Sequence, residues 1–253
     1  MKDGNQKTLS GAGGIGTISS RLTLEGPIKN DHTSFLVAGR RTYVDVFLPL
    51  AKNKEIRDNI LYFYDFNAKI NHRIDDRNRI FLSGYFGRDV FSNDFARMSL
   101  GNQTGTLRWN HLFSQKLFSN FTLIHSMYDY RLGTPEGNAN SFTWTSKMQN
   151  QSGKADFTWY ADPNNTIRFG AAMIVHTFDP GHAKGTGSES LFTEFSLPEN
   201  YALEYGVYLS NEQRISEKLL VKYGVRFSAF QNIGPGTVYN YDEGYNVLDS
   251  VVY

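Results

Sequence analysis

The sequence has no cysteine among its 253 residues, which excludes disulfide bonds, thiol catalysis and thiolate metal sites. An excess of one charge is also lacking: 26 Lys and Arg residues balance 25 Asp and Glu residues, so we expect no nucleic-acid partner. No apolar run approaches the roughly 18 residues of a membrane-spanning helix, and the longest, at 46–51, contains Pro49. No apolar stretch follows the first four residues, so we expect no export signal within this sequence.

Aromatic residues and glycine are abundant instead, with 19 Phe, 15 Tyr and 23 Gly. Aromatic residues favour strands, and apolar residues here alternate with polar residues or glycine in long runs that begin near residues 62, 167, 201 and 219. Such a period of two is typical of strands with one apolar and one polar face. Only 48–60 offers a candidate helix. The sequence therefore predicts an all-β, antiparallel fold.

Connections of two lengths alternate along the chain. Short turns rich in Asn, Asp, Ser and Pro are predicted at 26–33, 75–78, 114–116, 162–165 and 216–218. Long polar connections are predicted between them, at 45–60, 91–102, 131–146, 178–199 and from 233 onward. A membrane β-barrel separates its connections in this way, with short periplasmic turns and long extracellular loops. Strands of about 10 to 14 residues agree, because a bilayer strand needs about 9 to 11.

Aromatic pairs toward the strand ends are typical of the girdles at the two membrane interfaces of such barrels. We expect this role for Tyr62 and Tyr64, Trp109 and Phe113, Tyr128 and Tyr130, and Trp159 and Tyr160.

A glycine-rich stretch, GAGGIG at 11–16, matches the spacing of a dinucleotide-binding loop. That function requires a buried strand before the glycines and a helix after them, whereas MKDGNQKTLS precedes them and the strand-like TISSRLTLEGP follows. We therefore predict a tight hairpin near Gly16, in which the glycines allow other backbone, such as a plug inside the barrel, to approach.

Sequence motifs for catalysis or phosphate binding are absent, and we predict no catalytic, cofactor-binding or metal-binding residues. The six histidines form no pair at ligand spacing. Asp129, Asp179 and His182 are expected at the extracellular rim, without a nucleophile beside them.

Cationic strand positions are expected to point into the barrel lumen, where they would contact a plug or a solute or simply line a polar interior. The substrate-binding candidates among them are Arg21, Arg40, Lys69, Arg73, Arg168 and Arg226, and Lys154 and Lys222 share the pattern. Arg41 is placed on the lipid face by strict alternation, unless a bulge shifts the phase.

Four segments resemble TonB-dependent outer-membrane receptors. They are SSRLTLEGPI, SFLVAGRRTYVDVFL, LYFYDFNAKINHRIDDRNRIFLSGYFGRDVF and GTLRWNHLFSQKLFSNFTLIHSMYDY. The resemblance extends over about 1–245 and implies a 22-stranded barrel in the outer membrane, of which we expect about eleven strands here. It assigns 1–5 to the end of a plug segment and 6–253 to the N-terminal half of the barrel.

The resemblance also implies partners for the chain. They are membrane lipid, the missing plug and second barrel half, TonB through that plug, and a surface lipoprotein. The implied function is import of a scarce nutrient, with siderophore, cobalamin, oligosaccharide and peptide all open.

Two other interpretations stay open. One is a self-contained outer-membrane barrel of twelve strands, acting as a pore, an adhesin or a rim enzyme, with the alternating residues of 245–253 as its last strand. The other is a soluble β-sandwich binding module, against which strand length and the alternation of connections argue.

Overall fold

The computed structural model describes residues 2–29, 32–135, 140–187, 190 and 193–252. Its strands are β1 (Ser10–Ile15), β2 (Ser19–Lys29), β3 (Thr33–Thr42), β4 (Ile60–Arg73), β5 (Asn78–Ser92), β6 (Arg97–Ser114), β7 (Leu117–Gly133), β8 (Phe142–Asp162), β9 (Asn165–Gly185), β10 (Phe195–Ser196), β11 (Asn200–Ser216), β12 (Leu219–Ile233), β13 (Thr237–Tyr241) and β14 (Val247–Val252).

Eleven of these strands form one continuous sheet in the order β1-β2-β3-β4-β5-β6-β7-β8-β9-β11-β12. Every neighbouring pair is antiparallel, and the two-residue β10 is added beside β9. This confirms the predicted all-β, antiparallel fold and the strand number. Ten antiparallel steps separate β1 from β12, so these two edge strands run in the same direction.

The strands are longer than predicted, and several connections are shorter. β8 and β9 each contain 21 residues, and the connection expected at 91–102 shrinks to 93–96 between β5 and β6. β7 likewise extends to Gly133 and β8 begins at Phe142, both within the connection expected at 131–146. Polar residues continue the ladder because each backbone N–H and C=O gains a partner by remaining in the sheet.

The helix predicted over 48–60 is largely wrong. The segment contains a 3-10 turn at Leu48–Leu50 and a single α-helical turn, α1, at Lys54–Arg57, after another 3-10 turn at Val44–Val46. Extended backbone at Ala51 (φ −67°, ψ 138°) and Asn53 (φ −78°, ψ 124°) separates the two turns. The Asn53 side chain accepts from Glu55 N–H and so caps the start of α1. Within the described ranges, no helix has both the length and the apolar character to span a membrane.

The two faces of the sheet differ in chemistry. Residues directly opposite each other on antiparallel strands share a face, and the register carries one apolar row through Phe35, Ile70, Leu82, Leu107 and Leu123. The apolar face carries the following exposed residues, called here the apolar belt: Leu22, Leu24, Phe66, Ile70, Leu82, Leu107, Leu123, Met173, Val207, Leu209, Val225 and Phe227.

Aromatic rings cross the apolar face near the short turns. Phe121 lies 5.3 Å from Trp109 and 5.7 Å from Phe157, and Phe157 stacks on Phe169 at 5.0 Å. This row follows four neighbouring strands, β6 to β9. Of these four rings, only Trp109 belongs to the aromatic pairs predicted from the sequence.

Of the three glycines in β1, only Gly14, opposite Arg21, lies on the polar face, where a plug could approach it. The other two do not have the role that the sequence suggested. Gly11 and Gly13 lie on the apolar face opposite Leu24 and Leu22, where an added Cβ would come within 3.0 Å and 3.4 Å of the leucine side chains. The predicted hairpin is present, since Gly16 N–H donates to Ser19 O at 2.8 Å.

The N-terminal segment, defined as 2–8, lies on the polar face of β2 to β4. Lys2 Nζ contacts Glu25 Oε1 at 2.5 Å, and Asp3 pairs with Lys69. The fully buried Ser34 hydroxyl donates to Gly4 O at 2.9 Å. Gly4 touches β3 so closely that an added Cβ would overlap the Phe35 carbonyl. Met1 lies outside the described residues.

Asp75 stabilises the turn between β4 and β5. Its carboxylate accepts hydrogen bonds from the Asn78 side chain at 2.9 Å and from Arg77 N–H at 2.7 Å. These bonds, that of the Asn78 side chain first, hold the pKa of Asp75 below its ordinary value. A carboxyl group with a lowered folded-state pKa stabilises the fold above its unfolded pKa, and this contribution is lost as the pH falls through the folded-state value.

We therefore expect Asp75→Ala to lower the thermal unfolding midpoint at neutral pH, measured by circular dichroism. The difference from the native protein should shrink as the pH falls below about 3.9. Asp76→Ala is the matched control, because the carboxylate of Asp76 accepts no hydrogen bond within the described part of the chain. Equal effects of the two substitutions would contradict this account of the turn.

Gly4→Ala should detach the N-terminal segment from the sheet, because the new Cβ collides with the backbone of β3. Faster hydrogen exchange at 2–8 and at Ser34 is the expected result. Gly14→Ala serves as the control, because the nearest atom to its Cβ is Arg21 Nε at 4.0 Å. Unchanged exchange in Gly4→Ala would show that the segment is not held by this contact.

Candidate functional site

A cavity of about 900 Å³ lies on the polar face of β3 to β7, toward the long connections. We call it the aromatic cavity. Its polar-face lining includes Leu61, Phe63, Tyr85, Phe91, Leu100 and Tyr128 together with Arg40, Asp65, Asp89 and Asn102. Pockets of this size, largely apolar with a few polar groups, are typical of small-molecule sites.

The aromatic wall depends on a glycine. Tyr85 and Gly87 are two residues apart on β5 and therefore share a face. An added Cβ at Gly87 would overlap the hydroxyl end of the Tyr85 ring. Glycine at this position lets the ring lie flat along the strand and form part of the cavity wall.

Arg40 is the one substrate-binding candidate that lines the aromatic cavity. Its Nε donates to Asp65 Oδ2 at 2.8 Å, and its guanidinium lies 5.0 Å from the centre of the Phe63 ring. The side chain remains half exposed, at 53 %. Arg40 is thus oriented by an ion pair and a cation–π contact while part of it stays open to the cavity.

The other candidates share the polar face but not the cavity. Arg21 lies directly opposite Arg40 on β2. Lys69 pairs with Asp3 of the N-terminal segment and lies 5.2 Å from the Phe81 ring. Arg73 lies at the end of β4, opposite Arg79.

A second polar cluster collects the candidates of β9 and β12. Glu212 Oε2 is 3.4 Å from Arg168 Nη1 and 2.7 Å from Lys222 Nζ. Arg226 Nε donates to Ser228 Oγ at 3.0 Å, and Lys154 pairs with Asp156 at 3.0 Å. The sheet thus divides the six candidates among several places rather than joining them in one site.

Sequence reasoning missed the aromatic wall of the cavity. Tyr128 and Tyr130 were expected in an interfacial girdle, but Tyr128 lines the cavity and both occupy the polar face. That part of the girdle prediction is wrong. Both faces of β7 mix apolar and polar residues, so alternation within this strand could not assign its tyrosines.

Arg41 does lie on the apolar face, and the pairing of β2 with β3 is regular around it. It lies at the end of the strand, 3.7 Å from Asp45 and 5.4 Å from the Tyr62 ring centre. No bulge is needed to explain its position.

The predicted rim residues do not meet one another. Asp129 pairs with Arg88, whereas Asp179 lies opposite Lys147. A hydroxyl does lie beside His182, contrary to expectation: Ser196 Oγ is 2.6 Å from His182 Nδ1, and Glu194 Oε1 is 3.2 Å from Nε2. Glu194 is 62 % exposed, and these contacts tie the short β10 to β9.

The histidines make separate contacts. His72 bonds Thr33, His111 bonds Asn78 and His176 bonds Asn150, each through Nδ1. In the described ranges, no three His, Asp or Glu side chains converge as a metal site would require.

The sequence matches no protein-family model and no curated protein. Solved structures do resemble its fold. The copper transporter OprC superposes with a TM-score of 0.67 at 12 % identity, over 100 % of this chain and 42 % of its own. The pyoverdine outer-membrane receptor FpvA of Pseudomonas aeruginosa PAO1 gives 0.68 at 10 %, over 93 % and 42 %.

The ferric preacinetobactin receptor BauA of Acinetobacter baumannii gives a TM-score of 0.63 at 11 % identity, over 96 % of this chain and 43 % of its own. The chain thus spans about two fifths of the length of these proteins, which are named as transporters or receptors rather than enzymes. At such identities the likeness concerns the fold. The eleven-stranded sheet has the fold of part of a TonB-dependent outer-membrane receptor barrel.

Proposed function

We propose that this chain is part of a TonB-dependent outer-membrane receptor that imports a scarce solute. The observation that carries the proposal is the eleven-stranded antiparallel sheet, which matches receptor barrels over nearly its whole length. We assign residues 1–5 to the end of a plug segment and 6–253 to the N-terminal half of the barrel together with its connections.

Placement in the outer membrane is supported by the apolar face. On β9, its apolar residues extend from Ile167 to Val175, after which Thr177 and Asp179 follow on the same face. Nine residues agree with the roughly 9 to 11 of a tilted bilayer strand. The exposed belt would otherwise face water, which is unfavourable for so large an apolar surface.

A plug inside the barrel is supported by the N-terminal segment. It crosses the polar face and is held by two ion pairs and the buried Ser34 hydroxyl. Lys69 therefore acts in plug attachment rather than solute binding. TonB would act through the plug.

Solute capture is assigned to the aromatic cavity. Its rings offer flat apolar surfaces, and Arg40, Asp89 and Asn102 offer hydrogen-bonding groups. This chemistry suits a solute that combines planar or ring-shaped apolar parts with polar substituents, a description that includes siderophores, cobalamin and oligosaccharides and is less apt for extended peptides. Arg21 lies opposite Arg40 and would offer the solute a further contact. Arg73, Arg168 and Arg226 line the polar interior.

Further strands and a surface lipoprotein are the remaining proposed partners. The outer edges of β1 and β12 have no neighbour within the described sheet, and unpaired backbone edges are unfavourable in lipid. Because both edges run in the same direction, an odd number of added strands is required for an entirely antiparallel barrel.

A self-contained barrel is the weaker alternative. Its last strand was expected at 245–253, but β14 pairs with β13 in a separate hairpin, and Tyr253 lies outside the described residues. Direct pairing of β1 with β12 would be parallel, unlike every other pair in the sheet.

Tyr128→Ala should weaken solute binding about tenfold, since loss of an aromatic contact costs about 0.5–1.5 kcal/mol beyond its area. Uptake of labelled ferric siderophore, cobalamin and oligosaccharide is first compared in cells with and without the complete gene. The affinity of the variant is then measured for the probe that is imported.

Tyr205→Ala is the matched control, because Tyr205 and Tyr128 are both 40 % exposed but lie on opposite faces. Binding to the control should stay within about twofold, below 0.5 kcal/mol. Equal losses in both variants would remove the assignment to the cavity, and uptake that persists without TonB would overturn the proposed function.

A further inference from the structure

A row of positive side chains lies on the apolar face, beyond the belt and toward the long connections. We call Arg97, Arg131, Lys147 and Lys184 the cationic patch. They occupy four neighbouring strands, β6 to β9. Arg97, Arg131 and Lys184 are exposed, and Lys147 is half-buried.

The register brings these side chains onto one surface. One row across the four strands reads Arg97, Gly133, Thr143, Lys184. The next reads Ser99, Arg131, Thr145, His182, and the third reads Gly101, Asp129, Lys147, Asp179. Cations and hydroxyl-bearing side chains therefore lie near one another in the first two rows, with strands about 4.8 Å apart, and the third row adds Lys147 between two aspartates.

The cations of this surface outnumber its acidic groups, so its net charge is positive. Both oxygens of Asp129 accept from Arg88 Nη2 at 3.0 Å, and Gly101 makes room for that pair, since a Cβ there would overlap the Asp129 carboxylate. Asp179 lies opposite Lys147 and offsets one positive charge of the patch. Glu194 contacts His182. Arg131 and Lys184 form no ion pair within the described residues.

We propose that the cationic patch binds the phosphate groups of a phosphorylated, anionic lipid in the leaflet facing the long connections. A lipid whose acyl chains lie against Leu107, Leu123 and Met173 of the belt would bring its headgroup to this level of the same face. Guanidinium and ammonium groups bind phosphate with charge-assisted hydrogen bonds, and Ser99, Thr143 and Thr145 add hydroxyl donors.

A lipid fits this surface better than a transported solute does. The patch lies on the face opposite the aromatic cavity, so a solute passing through the barrel would not meet it. The inference rests on the proposed membrane placement and not on the identity of the solute.

The test compares Arg131→Gln/Lys184→Gln with a control of equal charge change, Arg108→Gln/Lys154→Gln. The control residues are also exposed cations, but they lie on the polar face of β6 and β8. The complete receptor is purified from outer membranes into detergent, and binding of bis-phosphorylated lipid A is measured alongside the same glycolipid stripped of its phosphates.

The patch variant should bind the phosphorylated lipid roughly 10- to 30-fold more weakly, because each surface cation contributes about 1 kcal/mol toward anionic lipid. The control should stay within about twofold of the native receptor. Unchanged binding in the patch variant, equal losses in both variants, or equal binding of the dephosphorylated lipid would overturn the proposal. Solute uptake by the same variants is scored separately, so a failure here is distinguishable from a failure of the import function.

Discussion

The backbone ladder between neighbouring strands is the interaction on which the rest of this structure depends. Among the described residues, only Leu36, Val90 and Ala202 are buried apolar side chains, so the sheet is a single layer without a conventional core. Its order comes from continuous antiparallel pairing across eleven strands. That pairing satisfies backbone groups even where the side chains become polar, and it explains why β8 and β9 continue well past the apolar belt.

A single-layer sheet lets its two faces serve different purposes. The apolar face carries the belt, the aromatic row and the cationic patch, whereas the polar face holds the N-terminal segment and the aromatic cavity. Because side chains alternate along each strand, adjacent residues can serve opposite environments. Tyr128, in the cavity, and Asp129, paired with Arg88, illustrate this separation.

Glycine gives particular side chains and backbone the room they need. Gly4 allows the N-terminal segment to touch β3, Gly87 allows Tyr85 to lie flat, and Gly101 allows the Arg88–Asp129 pair to form. These positions are distant from the GAGGIG stretch that stands out in the sequence. A conspicuous run of glycines was therefore a poor guide to where close packing occurs.

Local sequence determined the fold class, the strand number, the short turns and the hairpin at Gly16, because period-two alternation and Asp or Asn turn chemistry act over a few residues. Tertiary structure alone decided the ends of the long strands, the face of Tyr128 and the separation of Arg40 from Arg168. It also joined Arg88 to Asp129, 41 residues away. These features are determined by the register between strands. Register depends on which residues of two different strands pair with each other, and no single stretch of sequence specifies that.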